Sequence, residues 1–127
     1  MKHSYVIVDD DPLFHMLLKR KLDRIKDLDF YEFYKDSVSA LMGINKIRPE
    51  IIFMDYNIDT FNGPDILNNL EYTPSVILMT SDTDIKKENL PESVFELFYK
   101  PIHDSKFFES SVKYLLHMLD EDQIITA

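Results

Sequence analysis

Five short runs of β-branched and other apolar residues recur along this chain, at residues 5–8, 30–34, 51–54, 75–79 and 94–99. Four of them stop abruptly at a residue bearing an oxygen or a charge: Asp9, Asp55, Thr80 and Lys100. Between the runs, apolar residues recur at helical spacing. Phe14, Leu17, Leu18, Leu22, Ile25 and Leu28 form one stripe, and Ala40, Leu41, Ile44 and Ile47 another. Asp11 and Ser37 suit the caps of these helices, and Pro12 suits a first turn. Asn62-Gly63-Pro64 marks the turn into a short helix carrying Ile66, Leu67 and Leu70. Residues 84–90 predict one or two helical turns before Pro91, and residues 105–119 predict the last helix, with Phe108, Val112, Leu115 and Leu119 on one face. Strand and helix alternate five times along the sequence. That alternation predicts an α/β fold, a five-stranded parallel sheet with helices on both faces.

Composition narrows the function. The 127 residues suit a single domain, typically about 100–150 residues long. One domain over residues 1–120 with a flexible tail over 121–127 is expected. No cysteine is present, so there is no disulfide framework, thiolate zinc site or cysteine nucleophile. A formal net charge of −9 opposes a nucleic-acid surface, which needs clustered Lys and Arg to neutralise phosphates. No apolar run approaches the roughly 18–20 residues that span a bilayer. Met1-Lys2-His3-Ser4 leads into four apolar residues and then three aspartates, which does not read as a signal peptide. A cytoplasmic location is expected, with neither nucleic acid nor membrane as a partner.

In open parallel sheets the ligand site lies beyond the carboxyl ends of the strands. Asp9, Asp10, Asp11, Asp55, Thr80 and Lys100 end or follow the runs, and they share one crevice there if the first, third, fourth and fifth strands are neighbours. Clustered carboxylates raise one another's pKa unless a cation intervenes. Lys100 is one such cation, and oxygen-only ligands suit Mg²⁺ as a second. A metal held by a few carboxylates keeps positions open for a phosphoryl group. The permitted chemistry is phosphoryl transfer to a carboxylate, with Asp55 as nucleophile and Lys100 and the metal neutralising the phosphoryl oxygens. The Thr80 hydroxyl can donate to one of those oxygens.

Val6-Ile7-Val8-Asp9-Asp10-Asp11-Pro12, the strand-ending Asp55, Leu78-Met79-Thr80-Ser81 and Lys100-Pro101 resemble the receiver domain of two-component response regulators. The resemblance runs from about Tyr5 to Leu119. It implies a flavodoxin-like fold with strand order 2-1-3-4-5. It implies Asp55 as the phospho-acceptor, Asp10 as a direct Mg²⁺ ligand, Asp9 as a ligand through water, and the backbone carbonyl of Asn57 as a further ligand. It also implies a cis Lys100-Pro101 bond and a sensor histidine kinase or phosphotransfer protein as donor. The output would be a downstream protein target or a self-dimer, engaged through the fourth helix, fifth strand and fifth helix. Such a domain phosphorylates itself from the donor but is not a turnover enzyme.

Three positions depart from the family pattern. Leu97 stands where an aromatic usually swings inward with the Thr, and Phe98 and Tyr99 are not expected on its side. Asp59 replaces a usual Pro and is expected to add negative charge near the pocket. The segment between Asp55 and Thr80 is short, so its helix should be stunted. Asn57 and Asp82 occupy the two positions that tune phosphoryl lifetime in this family, and Asp82 is expected to orient an attacking water.

Other readings compete. Asp9-Asp10-Asp11-Pro12 by itself reads as a helix N-terminus. Asp55, Asn57 and Asp59 match the start of a calcium loop, but Thr60 and Ile66 stand where Gly and Glu are required. Asp9-x-Asp11 resembles the haloacid-dehalogenase-type phosphatases, but Leu13 replaces the expected hydroxyl residue. An unphosphorylated pseudo-receiver module is the third alternative. His3, His15, His103 and His117 lack metal-ligand spacing and are expected at the surface. Leu116, Met118, Leu90 and Phe98 are expected to help form an exposed protein-binding face.

Overall fold

In the computed structural model, which describes residues 2–126, strands and helices alternate as β1 (His3–Val8), α1 (Pro12–Asp23), β2 (Leu28–Tyr34), α2 (Ser37–Ile47), β3 (Ile51–Asp55), α3 (Gly63–Asn68), β4 (Ser75–Thr80), β5 (Val94–Tyr99) and α4 (Ser105–Thr126). All strand pairs are parallel, and the sheet order is β2-β1-β3-β4-β5. This is the flavodoxin-like arrangement the resemblance implied.

Strand alternation divides the core in two. Tyr5, Ile7, Ile51, Phe53, Ile77 and Met79 face α1 and α4, where they meet Leu18, Leu22, Phe108, Val112 and Leu115. Val6, Val8, Ile52, Met54, Val76 and Leu78 face α2 and α3, against Ala40, Ile44 and Ile66. Central strands covered on both faces are apolar throughout, which is why β1 and β3 read as unbroken runs. The edge strands are irregular. The register slips by one residue at Tyr31 in β2 and at Phe95 in β5, as bulges at sheet edges do.

Local chemistry sets the helix ends. Asp11 caps α1 by accepting from the amides of Leu13 and Phe14. Asp36, not Ser37, caps α2, accepting from the Ser39 amide. Ser37 is instead fully buried, and its Oγ accepts from the Phe61 amide at 3.2 Å. The helix α3 is short, as expected, and opens on a reciprocal Asn62–Asp65 capping box. A Cβ on Gly63 would sit 3.0 Å from Leu78 Cδ1 and 3.3 Å from the Asp55 carbonyl oxygen. A side chain there would push Leu78 or the end of β3 aside, so glycine suits the close start of α3 under β3.

Two helical expectations change. Residues 84–90 yield a single 3-10 turn at Lys87–Asn89. Only Ile85 and Leu90 are apolar in that stretch, so it has no face to bury. The fourth helix of the family pattern is therefore absent among the described residues, and α4 stands where the fifth would. In contrast, α4 continues past Leu119 to Thr126. Asp120 and Glu121 are acids in a poor position for a helix end, but each has a histidine partner, His3 and His117.

His3 corrects the surface expectation most strongly. It is fully buried, with Nδ1 2.7 Å from Glu50 Oε2 and Nε2 2.6 Å from Asp120 Oδ1. Ionised carboxylates only accept, so with Glu50 and Asp120 both ionised the two ring nitrogens donate and the pair favours the imidazolium. It ties the starts of β1 and β3 to α4, at the pole opposite the strand carboxyl ends. Burial opposes the charge on His3, but the hydrogen bonds to Glu50 and Asp120 outweigh it and raise the pKa above its ordinary 6.5. The stability this raised group contributes is full below the ordinary value and disappears as pH rises through the raised one. Urea unfolding of wild type and His3→Gln is expected to show a larger stability gap near about pH 6 than near about pH 9. His15 is half-buried, stacked on Phe33 at 3.6 Å between ring centroids. His103 and His117 are exposed as expected. Among the described residues, no helix is long and apolar enough to cross a membrane.

Candidate functional site

The parallel strands deliver their end residues to one place. Asp9 follows β1, Asp55 ends β3, Thr80 ends β4 and Lys100 follows β5. Lys100 Nζ lies 2.8 Å from Asp9 Oδ2 and 3.2 Å from Asp55 Oδ2. Asp9 is fully buried, and its other oxygen accepts from the Asp11 amide at 2.8 Å. Asp10 is exposed beside it, and one carboxylate oxygen each from Asp9, Asp10 and Asp55 lies within 4.8 Å of the others. Such a set of hard oxygen donors fits a divalent cation of the Mg²⁺ type and offers nothing to a soft metal.

The electrostatics are those of a crowded pocket. Burial pushes the Asp55 carboxyl above its ordinary pKa and Asp9 adds to that, while Lys100 pulls the other way without cancelling it. Burial disfavours the Lys100 ammonium, but its hydrogen bond to Asp9 and the charge of Asp55 hold its pKa above the ordinary lysine value. Two buried carboxylates share one ammonium, so the pocket is short of positive charge.

Thr80 is fully buried, and its Oγ1 accepts from the Asp82 amide at 3.0 Å. Its carbonyl accepts from the Lys100 amide at 2.8 Å, linking the ends of β4 and β5. The Lys100-Pro101 bond is cis. Asn57 is exposed, and its amide donates to Asp55 Oδ1 at 3.3 Å. Asp82 is exposed at the mouth, where its carboxylate accepts from the Asp84 amide at 2.9 Å.

Asp59 does not charge the pocket as expected. Its Oδ1 accepts from the Ser37 amide at 2.8 Å, so it sits at the N-terminus of α2. Hydrogen bonds from Ser37 hold its pKa below the ordinary value. Leu97 packs on the α2–α3 side. Tyr99, two residues on, shares that side by strand alternation, contrary to expectation. It is exposed, and its hydroxyl donates to the Ile85 carbonyl at 2.6 Å.

The expected binding face is also redrawn. Leu116 and Phe98 are buried, because 112, 115, 116 and 119 form one helical stripe and Phe98 points at Phe107 and Phe108. Leu90 is half-buried, whereas Met118 is exposed as expected. Phe107 and Tyr114 join Met118 on the outer side of α4, and their rings rest on Phe98 and Phe95 of β5. They recur at helical spacing off the buried stripe, a signal present in the sequence.

Two further features escaped sequence reasoning. Lys100 Nζ lies 3.9 Å from the centroid of the Phe14 ring. Beside it, Phe14, Leu17, Leu18, Pro101 and Ile102 line a groove of about 350 Å³ that Arg20, Lys21 and Arg24 edge with positive charge.

Comparison with known proteins agrees with this geometry. A family model described as the response regulator receiver domain matches residues 5–111. The transcriptional regulatory protein BtsR of Salmonella typhi is 25% identical over 120 residues, covering 93% of this chain and 48% of that protein. The sensory transduction protein LytT of Bacillus cereus is 28% identical over 120 residues, covering 94% of this chain and 43% of that protein. The chain thus spans about half the length of the curated relatives it matches. Among solved structures, the signal receiver domain of a putative Luxo repressor protein from Vibrio parahaemolyticus superposes with a TM-score of 0.83 at 18% identity, covering 100% of this chain and 99% of that one. The response regulatory domain of protein mrkE from Klebsiella pneumoniae gives 0.83 at 17% identity, covering 93% and 98%. At such identities the structural likeness establishes the fold.

Proposed function

Because the chain belongs to the response regulator receiver domain family, we propose that it accepts a phosphoryl group on Asp55 from a phosphohistidine partner and thereby switches a protein-interaction surface. The observation that carries this is the Lys100 ammonium held between Asp9 and Asp55 with Asp10 alongside.

In the proposed step an ionised Asp55 oxygen attacks phosphorus in line with the leaving group. The new P–O bond forms as the P–N bond to the donor imidazole breaks, and the imidazole nitrogen keeps the bonding pair and takes up a proton from solvent. With acetyl phosphate the bond broken is P–O, and acetate leaves as the anion. Lys100 neutralises the phosphoryl oxygens, and Thr80 is proposed to turn its hydroxyl from the Asp82 amide to one of them. Asp10 and Asp55, with Asp9 through water and the Asn57 carbonyl, are proposed to hold Mg²⁺. Bound there, Mg²⁺ would supply positive charge for oxygens that become crowded in the transition state. Asp82 is proposed to orient the water that ends the phosphorylated state.

The donor is proposed to be a sensor histidine kinase or phosphotransfer protein. The groove edged by Arg20, Lys21 and Arg24 adjoins Lys100 through Phe14 and Pro101, and it offers apolar and basic surface on an otherwise acidic chain. The output surface is proposed on β5 and the exposed side of α4, for a downstream target or a second copy, in the cytoplasm. Phosphorylation adds about 1.5–2 negative charges. The phosphatase reading is disfavoured because Leu13 stands where its hydroxyl residue is expected. Leu97 is the one departure that favours a module switched without phosphate.

Incubation with acetyl phosphate and Mg²⁺ is expected to add one phosphoryl group to wild type and none to Asp55→Asn, read on a phosphate-affinity gel. Chelation of the metal is expected to abolish the shift. A wild type that gains nothing, even from candidate kinases, would establish the phosphate-independent reading.

A further inference from the structure

We propose that Phe14 is a positioning residue for this phosphoryl transfer, its ring face keeping the Lys100 ammonium beside Asp55 when the carboxylates turn to a metal ion. The inference rests on Asp55 being the acceptor. Among the described residues Lys100 Nζ has three partners: Asp9 Oδ2 at 2.8 Å, Asp55 Oδ2 at 3.2 Å, and the Phe14 ring with its centroid at 3.9 Å. The last distance is well within the reach of a cation–π contact. Only 13% of the Lys100 side chain is exposed, so little water competes with the ring.

The three partners respond differently to a divalent cation. Asp9 and Asp55 belong to the oxygen cluster that would receive it. Those oxygens would be shared between such a cation and Lys100, and the like charges would repel. The phenyl ring carries no net charge and no oxygen ligand, so its hold on Lys100 is the one the metal does not contest. Phe14 is half-buried in the first turn of α1, packed on the α1–α4 core, and it lines the basic-edged groove. A donor seated in that groove would touch the same side chain that steadies Lys100.

The test compares Phe14→Leu, which keeps an apolar side chain but loses the ring face, with Phe14→Tyr, which keeps the face. Initial rates of phosphorylation from acetyl phosphate are measured at saturating Mg²⁺. Thermal midpoints check folding, and Phe14→Met serves if the Leu variant unfolds. Phe14→Leu is expected to be about three- to ten-fold slower, and Phe14→Tyr within about two-fold of wild type. The Lys100 ε-methylene protons are expected upfield by ring current in wild type and Phe14→Tyr, and at ordinary positions in Phe14→Leu. A Phe14→Leu protein as fast as wild type, a Phe14→Tyr protein as slow as Phe14→Leu, or a wild-type Lys100 without the upfield shift would overturn the inference. A wild type that takes no phosphoryl group overturns the acceptor assignment and this inference with it. Transfer in wild type that is insensitive to Phe14→Leu overturns this inference alone.

Discussion

Lys100→Ala is expected to weaken the fold and abolish the chemistry together, and Mg²⁺ is expected to restore only the first. Lys100 is the ammonium that both Asp9 and Asp55 engage, and Asp9 is fully buried. Removing it leaves buried carboxylates without a counter-charge, which typically costs about 3–5 kcal/mol. The lower end applies here, about 3 kcal/mol, because Asp55 relieves the strain by taking up a proton. Its pKa is already raised with Lys100 in place. A divalent cation in the Asp9–Asp10–Asp55 cluster would supply the missing charge and stabilise the folded state by mass action. Urea unfolding with and without Mg²⁺ is the measurement: the loss should be large in chelator and reduced in Mg²⁺. Phosphorylation should stay lost in both, since no ammonium remains to meet the phosphoryl oxygens.

Phe53→Ala is expected to be the most damaging single truncation of the core. Phe53 is fully buried in the centre of β3, with its ring 5.5 Å from Tyr5 edge-on and 6.3 Å from Phe108. The ring fills the junction of β1, β3 and α4, and the flanking strands leave no space for collapse. Removing such a ring costs about 3–5 kcal/mol, against a total stability of about 5–15 kcal/mol for a domain. A fall of that size in urea unfolding, with an unchanged slope, is the expected result. Because Phe53 lies two residues before Asp55 on the same strand, the Asp55 carboxylate should lose its fixed position as well.

The sequence made this site legible because parallel strands deposit their last residues together. Asp9, Asp55, Thr80 and Lys100 are each the polar stop of an apolar run, so once these strands are neighbours the run ends assemble the pocket. Strand order was different. Nothing in the runs themselves says that β1 lies between β2 and β3, and that came with the family resemblance. Phe14 was hidden because it shares a helical stripe with Leu18 and Leu22, so it reads as core. Its contact with Lys100 spans most of the chain. His3 was hidden for the same reason: its partners are 47 and 117 residues away. Asp59 misled because proximity to Asp55 in sequence does not fix where a carboxylate points. The Ser37 amide captured it.

The most direct measurement identifies the phosphorylated side chain itself. After incubation with acetyl phosphate and Mg²⁺, borohydride reduction converts an aspartyl phosphate to homoserine, and peptide mass mapping locates it. A single homoserine at position 55, absent without Mg²⁺ and absent in Asp55→Asn, is the predicted result. Conversion at Asp9, at Asp10 or at no residue of the wild-type protein would contradict it.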